Sequence, residues 1–143
     1  MADFKIFDIA ASGMKAQSMR LNLIASNIAN ADSISSSQGE VYKSRQPVFK
    51  TMMDNIGSQV GRNNGATGVE MVGVVESKAP VFPEYAPNNP MANEDGYIFR
   101  SNVNPVEEMA NMISARRSFE NNVELARASK RMMERIINIG RGN

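Results

Sequence analysis

Two long stretches with apolar residues repeating every seven positions, one at each end, constrain this chain more than any other feature. From Phe4 to Asn30 there is no proline, and Phe7, Met14, Leu21 and Ile28 recur at that interval. Ala10, Ile24 and Ala31 take three of the four intervening places, Gln17 takes the fourth, and Ile9, Ala16 and Leu23 form a parallel row one step round. The pattern is that of an amphipathic helix with a wide apolar stripe. At 1.5 Å per residue the helix is roughly 40 Å long, and one short hairpin cannot cover it. Gly13 costs about 1 kcal/mol relative to Ala inside a helix, so it points to a close helix approach or a small kink.

The second stretch begins with a legible cap. Asn104 is placed to be the N-cap, Pro105 suits the first helical position, and Glu107 and Glu108 put negative charge in the first turn. Met112, Phe119, Ala126 and Met133 repeat at seven, and the companion row of Met109, Val123 and Ile137 is interrupted by Arg116 and Lys130. The helix is expected to run to about Ile139 and stop at Gly140. Arg116 falls within the stripe, where an arginine characteristically pairs with a carboxylate of a neighbouring helix; a partner on another subunit is expected.

The middle has little of this regularity. Residues 32–39, reading DSISSSQG, form a polar break, and Val41 to Met53 reads as extended before Pro47 and helical after it. Residues 57–68, GSQVGRNNGATG, hold four glycines and predict a mobile loop. Val69, Met71, Val74 and Val75 predict a strand, Pro80 to Tyr85 an extended edge piece, and Tyr97 to Arg100 a further short strand. The organisation is therefore an N-terminal helix over 1–31, an irregular and short-β segment over 32–104, and a C-terminal helix over 105–143. The fold class is mainly α, with the two terminal helices in an antiparallel, coiled-coil-like pair. So sparse a middle leaves the stripes to bury each other, and a lone helix pair is marginal in water, which favours polymerisation with other chains.

Composition removes most chemistry. At 143 residues the chain makes one ordinary domain, and it contains neither Cys nor His. Disulfides, thiolate metal sites, Cys and Ser-His-Asp nucleophiles and the commonest general base near neutral pH go with them. The acid pairs Glu107-Glu108 and Glu94-Asp95 are better read as helix-cap and turn residues than as a catalytic dyad, because adjacent side chains on a helix diverge. Asn93-Glu94-Asp95-Gly96 lacks the further acids of a calcium loop. No enzyme, metal or cofactor is expected. The formal charge of +1, and a net of +2 over residues 105–143 from seven bases against five acids, disfavour nucleic acid. No apolar run reaches the roughly 18 residues of a membrane span, and the N-terminus does not read as a cleaved signal peptide. The 11 methionines supply an adaptable apolar surface.

Particular strings then become recognisable. Residues 11–33, ASGMKAQSMRLNLIASNIANADS, resemble the signature of the rod and hook axial proteins of the bacterial flagellum, with Ser12-Gly13, Gln17, Leu21, Ala25-Ser26-Asn27 and Ala29-Asn30-Ala31 on pattern. SNVNPVEEMANMISARRSFENNVELARASKRM is similar to that family's closing helix, most diagnostically at Asn104 to Met109 and at Asn111-Met112-Ile113. VEMVGVVES over Val69 to Ser77, and ANEDGYIFRSNVNPVEEM over Ala92 to Met109, resemble its proximal-rod members most. Ser118-Phe119 departs from the Ala-Tyr of many relatives and loses a hydroxyl.

The resemblance implies a non-enzymatic subunit of the basal-body rod, exported uncleaved by the flagellar type III apparatus and assembled in the periplasm. It further implies that the terminal helices line a helical tube, built with itself and other rod proteins around a central channel, that transmits motor torque. The alternatives are a coiled-coil adaptor in a closed oligomer, or another axial subunit of distal-rod or hook type. The short middle argues against the latter by resemblance. The assembly interface is assigned to Phe7, Met14, Leu21, Ile24, Ile28, Met109, Met112, Phe119, Val123, Ala126, Met133 and Ile137, with Arg116 as the inter-subunit ion pair and Asn104, Pro105 and Glu107 as the cap. Leu21→Asp is expected to block assembly, read as loss of the chain from sedimentable rods; normal rod formation by that variant would remove the stripe from the interface.

Overall fold

The computed structural model describes residues 2–53 and 66–140. Its elements in chain order are α1 (Ala2–Ala29), β1 (Ile34–Ser35), β2 (Arg45–Met53), β3 (Ala66–Glu76), β4 (Phe82–Tyr85), β5 (Tyr97–Arg100) and α2 (Pro105–Gly140). Helices thus occupy both ends and a β-rich segment the middle.

Each helix boundary has a local chemical cause. The Asn104 side-chain oxygen accepts from the Val106 N–H at 3.1 Å and the Glu107 N–H at 3.5 Å, and Pro105 follows at the position where a missing N–H costs nothing. At the end of α1 the Asn30 side-chain amide donates to the Ser26 carbonyl at 2.8 Å, beside the bond from the Asn30 backbone N–H to the same oxygen at 3.2 Å, so one residue holds the last turn twice. The two helices pack on each other. Their approach is close at Gly13, where an added Cβ would lie 2.8 Å from Asn122 Nδ2, so glycine there is a packing requirement. Ala10, Ala16 and Ile24 on α1 and Ala115 on α2 are buried, as is Ala31 just beyond the end of α1. Small residues at these points let the backbones come together and leave a core with little bulk.

The middle forms two small antiparallel units. One is a three-stranded sheet in the order β1-β5-β4, pairing Ile34 with Arg100 and Tyr85 with Tyr97. Ile98 on its central strand is buried, as are Val41, Val81 and Val103 in the segments around it. The other is a two-stranded ribbon of β2 and β3, with register shifts between Val48 and Phe49 and between Met52 and Met53. Both of its strands lie against α1.

Two expectations for the middle are corrected, and a third is largely untouched. The strand β2 continues through Pro47, opposite Val74, to Met53 and does not turn helical; in a two-stranded ribbon each strand is an edge, and proline is tolerated there. The polar break contains the two-residue strand β1, because β5 offers it a pairing edge. The expected mobile loop over 57–68 lies largely outside the described residues, and its last three positions belong to β3.

The turn before β5 is built on Asn93, whose side-chain oxygen accepts from the Asp95 N–H at 3.0 Å and the Tyr97 N–H at 2.9 Å. Gly96 closes it with a φ of 78°, and a Cβ there would sit 3.0 Å from the Tyr85 ring. Gly96→Ala is expected to lower stability by about 1–2 kcal/mol, the cost of a left-handed alanine. A urea-unfolding midpoint unchanged from the parent chain would contradict it.

Candidate functional site

The two terminal stripes already cover each other in part. Ile24 is buried, and Phe7, Met14, Leu21 and Ile28 on α1 and Met112, Phe119, Val123, Ala126 and Met133 on α2 are half-buried. Met109 and Ile137 of the same rows remain 54% and 51% exposed. The helix faces are not purely apolar. Gln17 Oε1 and Ser129 Oγ are buried with no hydrogen-bond partner among the described residues. Such atoms weaken a single-chain core.

The expected partner of Arg116 on another subunit lies outside a single chain, and within the chain Arg116 pairs along its own helix. It is exposed, and its Nε donates to Glu120 Oε1 at 2.9 Å, one turn along the same helix. At four residues' spacing the intrahelical carboxylate is the nearest available, and an exposed pair of this kind is worth only about 0.3–0.5 kcal/mol. Its neighbour pair Arg131–Glu124, also 2.9 Å, holds the Glu124 carboxyl below its ordinary value through the hydrogen bond from Arg131.

A second apolar set on α2 belongs to neither predicted row. Val106, Ile113, Leu125, Met132, Ile136 and Ile139 are 45–79% exposed. The sequence carries a signal for most of them: Val106 and Ile113 flank Met109 of the companion row at spacings of three and four, and Met132, Ile136 and Ile139 follow one another at four and three. The heptad rows obscured it because a helix of this length can present more than one apolar face.

What joins the helices to the ribbon is a buried polar node. Asn27, 1% exposed, donates from Nδ2 to the Arg45 carbonyl at 2.9 Å and accepts at Oδ1 from the Arg45 N–H at 3.0 Å, so one side-chain amide pairs with both backbone groups of the first β2 residue. Tyr42 also donates to Oδ1 at 2.9 Å. Burial pushes the Tyr42 phenol above its ordinary value, an effect that the nearby Arg45 guanidinium opposes and Glu108 and Glu76 reinforce. Asn27 and Glu108 both reach Ser44 Oγ at 3.4 Å, which ties α1 to the first turn of α2. Asn102 accepts from the Ser44 N–H at 2.8 Å and donates to the Ala79 carbonyl at 2.8 Å, completing the accounting for this backbone. At its far end the ribbon is held again: the Val69 N–H donates to Ser12 Oγ at 3.1 Å, and Ser12 Oγ donates in turn to the Ile9 carbonyl at 2.8 Å.

Beside the node lies a cleft of about 330 Å³ with Arg20, Arg45, Glu107, Glu108 and Phe49 in its wall. Its charged groups balance, and Arg45 is engaged by Glu76 at 3.1 Å across the ribbon. The cleft presents no nucleophile, and its chemistry is that of a contact surface.

Comparison with known proteins agrees with that reading. Residues 7–33 match the family described as Flagella basal body rod protein, and residues 94–139 match the family described as Flagellar basal body rod FlgEFG protein C-terminal. The chain is 42% identical over 140 residues to the flagellar basal-body rod protein FlgC of Salmonella typhimurium, covering 98% of this chain and 99% of that one. It is 43% identical over 140 residues to the FlgC of Escherichia coli O157:H7, with the same coverage. Over 150 residues it is 31% identical to the FlgC of Bacillus subtilis, covering 99% of this chain and all of that one, 100%.

Asn27→Asp removes the donor to the Arg45 carbonyl and sets a carboxylate against it. It is expected to destabilise the chain by at least about 2 kcal/mol and to open the Arg45 amide to hydrogen exchange. A stable variant with unchanged protection at Arg45 would show that the node is dispensable.

Proposed function

The chain belongs to the FlgC family of flagellar basal-body rod proteins and is a structural subunit of the basal body, not an enzyme; on that premise we propose that it polymerises helically through its terminal helices. It assembles with other basal-body rod proteins. In the proposed arrangement α1 and α2 form an antiparallel, coiled-coil-like pair in the wall of a hollow proximal rod. Two contacts support that direction. Gly13 meets Asn122, and Asn27 connects through Ser44 to Glu108, so a step of fourteen residues up α1, from 13 to 27, matches a step of fourteen down α2, from 122 to 108.

The stripe residues that stay half-exposed, Leu21 and Met112 among them, together with Met109 and Ile137, supply the assembly contacts. Burial of these faces against neighbours on every side stiffens the rod against torsion and lets it pass motor torque to the hook. The chain reaches the periplasm through the flagellar type III export apparatus, and the rod stands there. No helix among the described residues is long and apolar enough to cross a membrane, which fits a subunit held by its protein neighbours.

The observation that carries the proposal is the full-length likeness to FlgC chains. The test is to delete the chain in its source bacterium, restore it with an epitope tag, and purify hook–basal bodies. Deletion is expected to abolish motility and rods, and the tag to co-purify with the restored basal body. Intact rods without the chain, or the tag in a small closed oligomer separate from the basal body, would overturn it.

A further inference from the structure

The three-stranded sheet stands clear of the helices: among the described elements β4 packs only on β5, and β5 only on β4 and β1. Its β4–β5 hairpin carries exposed aromatic side chains. Tyr85 and Tyr97, cross-strand partners 66% and 42% exposed, meet edge to face with ring centroids 5.2 Å apart. Gly96 lies against the Tyr85 ring, and Glu94 and Asp95 stand immediately before it in the same turn. Residues 79–99 hold these two acids and Glu84 but no lysine or arginine. Glu84 is taken by Arg100 at 3.2 Å, whereas Glu94 and Asp95 have no ion-pair partner among the described residues.

The opposite charge gathers at the far end of α2. Residues 126–140 hold Arg127, Lys130, Arg131 and Arg135 against Glu134, a net of +3 from four bases less one acid. The first part of the helix, 105–125, is acidic: Glu107, Glu108, Glu120 and Glu124 against Arg116 and Arg117, a net of −2 from two bases less four acids. Leu125, Ala128, Met132, Arg135 and Ile139 follow one another at alternating spacings of three and four and so share one face. That face is turned roughly 100° about the axis from Asn122, the residue that meets Gly13 of α1. It stays open, with Leu125, Met132 and Ile139 45%, 56% and 79% exposed. Arg135, in its midst, is exposed and has no ion-pair partner among the described residues.

One chain cannot bring these two surfaces together. Arg135 lies 31 residues beyond Asn104, roughly 46 Å along the axis. A hairpin with strands of four residues, set just before the start of α2, does not reach so far. Between copies, like surfaces would set carboxylates against carboxylates or arginines against arginines, and the acidic first part of α2 repels the hairpin in the same way.

We propose that the Tyr85–Tyr97 hairpin of one copy docks on the Leu125–Met132–Ile139 face of a second copy of this chain, with Arg135 against Glu94 and Asp95. The tyrosine rings give the aliphatic side chains a broad apolar contact and the guanidinium a π face. The contact rests on the chain being an assembling rod subunit, and it specifies how one copy meets the next. Because different surfaces meet, it is heterologous, and each copy keeps one surface free for a further copy.

The sequence has no cysteine, which makes thiol cross-linking clean. Pro87→Cys, beside Gly96 in the hairpin, and Met132→Cys are introduced singly and together in cells that assemble rods, and purified hook–basal bodies are treated with a short bismaleimide. The double variant is expected to give a ladder of cross-linked copies, and co-expression of the two single variants a dimer. A dimer from either single variant expressed alone, or no cross-link from the double variant in rods that contain it, overturns the proposal. A second arm uses charge. Arg135→Glu is expected to cut incorporation about tenfold, and adding Glu94→Lys and Asp95→Lys in the same chain to restore it. Failure of that restoration, with both variants showing parental helicity by circular dichroism, also overturns it. Absence of the unmodified chain from purified basal bodies would instead refute the rod reading itself, so the two failures are distinguishable.

Discussion

The side-chain amide of Asn27 is the interaction on which the arrangement of the molecule depends. Its two polar atoms pair with the backbone N–H and carbonyl of Arg45, as a strand would, so α1 itself supplies the hydrogen bonds that start β2. The same site reaches the first turn of α2 through Ser44 and Glu108. A buried amide left unpaired is costly, and here nearly every bond it can make is made. Three parts of the chain distant in sequence are therefore fixed at one point with little apolar bulk. That economy suits a molecule whose helix core is built largely from alanine.

The helices were legible in the sequence because their determinants are local. Asn104, Pro105 and Glu107 define the start of α2 by capping chemistry that acts within one turn, and the seven-residue rows define which faces are apolar. The ribbon was harder. Pro47 reads as a break, and only the absence of a further strand on that edge makes it compatible with β2. Strand β1 is invisible for a similar reason, since two residues carry no pattern of their own and exist as a strand only through β5.

The candidate surface was legible in part. Periodicity identifies apolar faces but not what covers them, which depends on where another helix lies. Met112 and Phe119 are half-covered within the chain, while Met132 and Ile136, outside the rows, stand open. Arg116 shows the same limit for charge: its place in a stripe does not say which carboxylate it meets, and within the chain that is Glu120, one turn away. Asn27 gave no sequence signal for its role, because a bond to residue 45 has no local signature.

The ribbon is tied to α1 at Asn27 and again at Ser12, fifteen residues apart, or roughly 22 Å along the axis. A strap fastened at two points must shorten or stretch when the beam beneath it bends, and the cross-strand hydrogen bonds of β2 and β3 resist both. Gly13, the residue most costly to the rigidity of α1, lies inside the fastened span. The ribbon thus acts as a splint, and bending strain that would collect at that glycine is shared with the two strands laid over it.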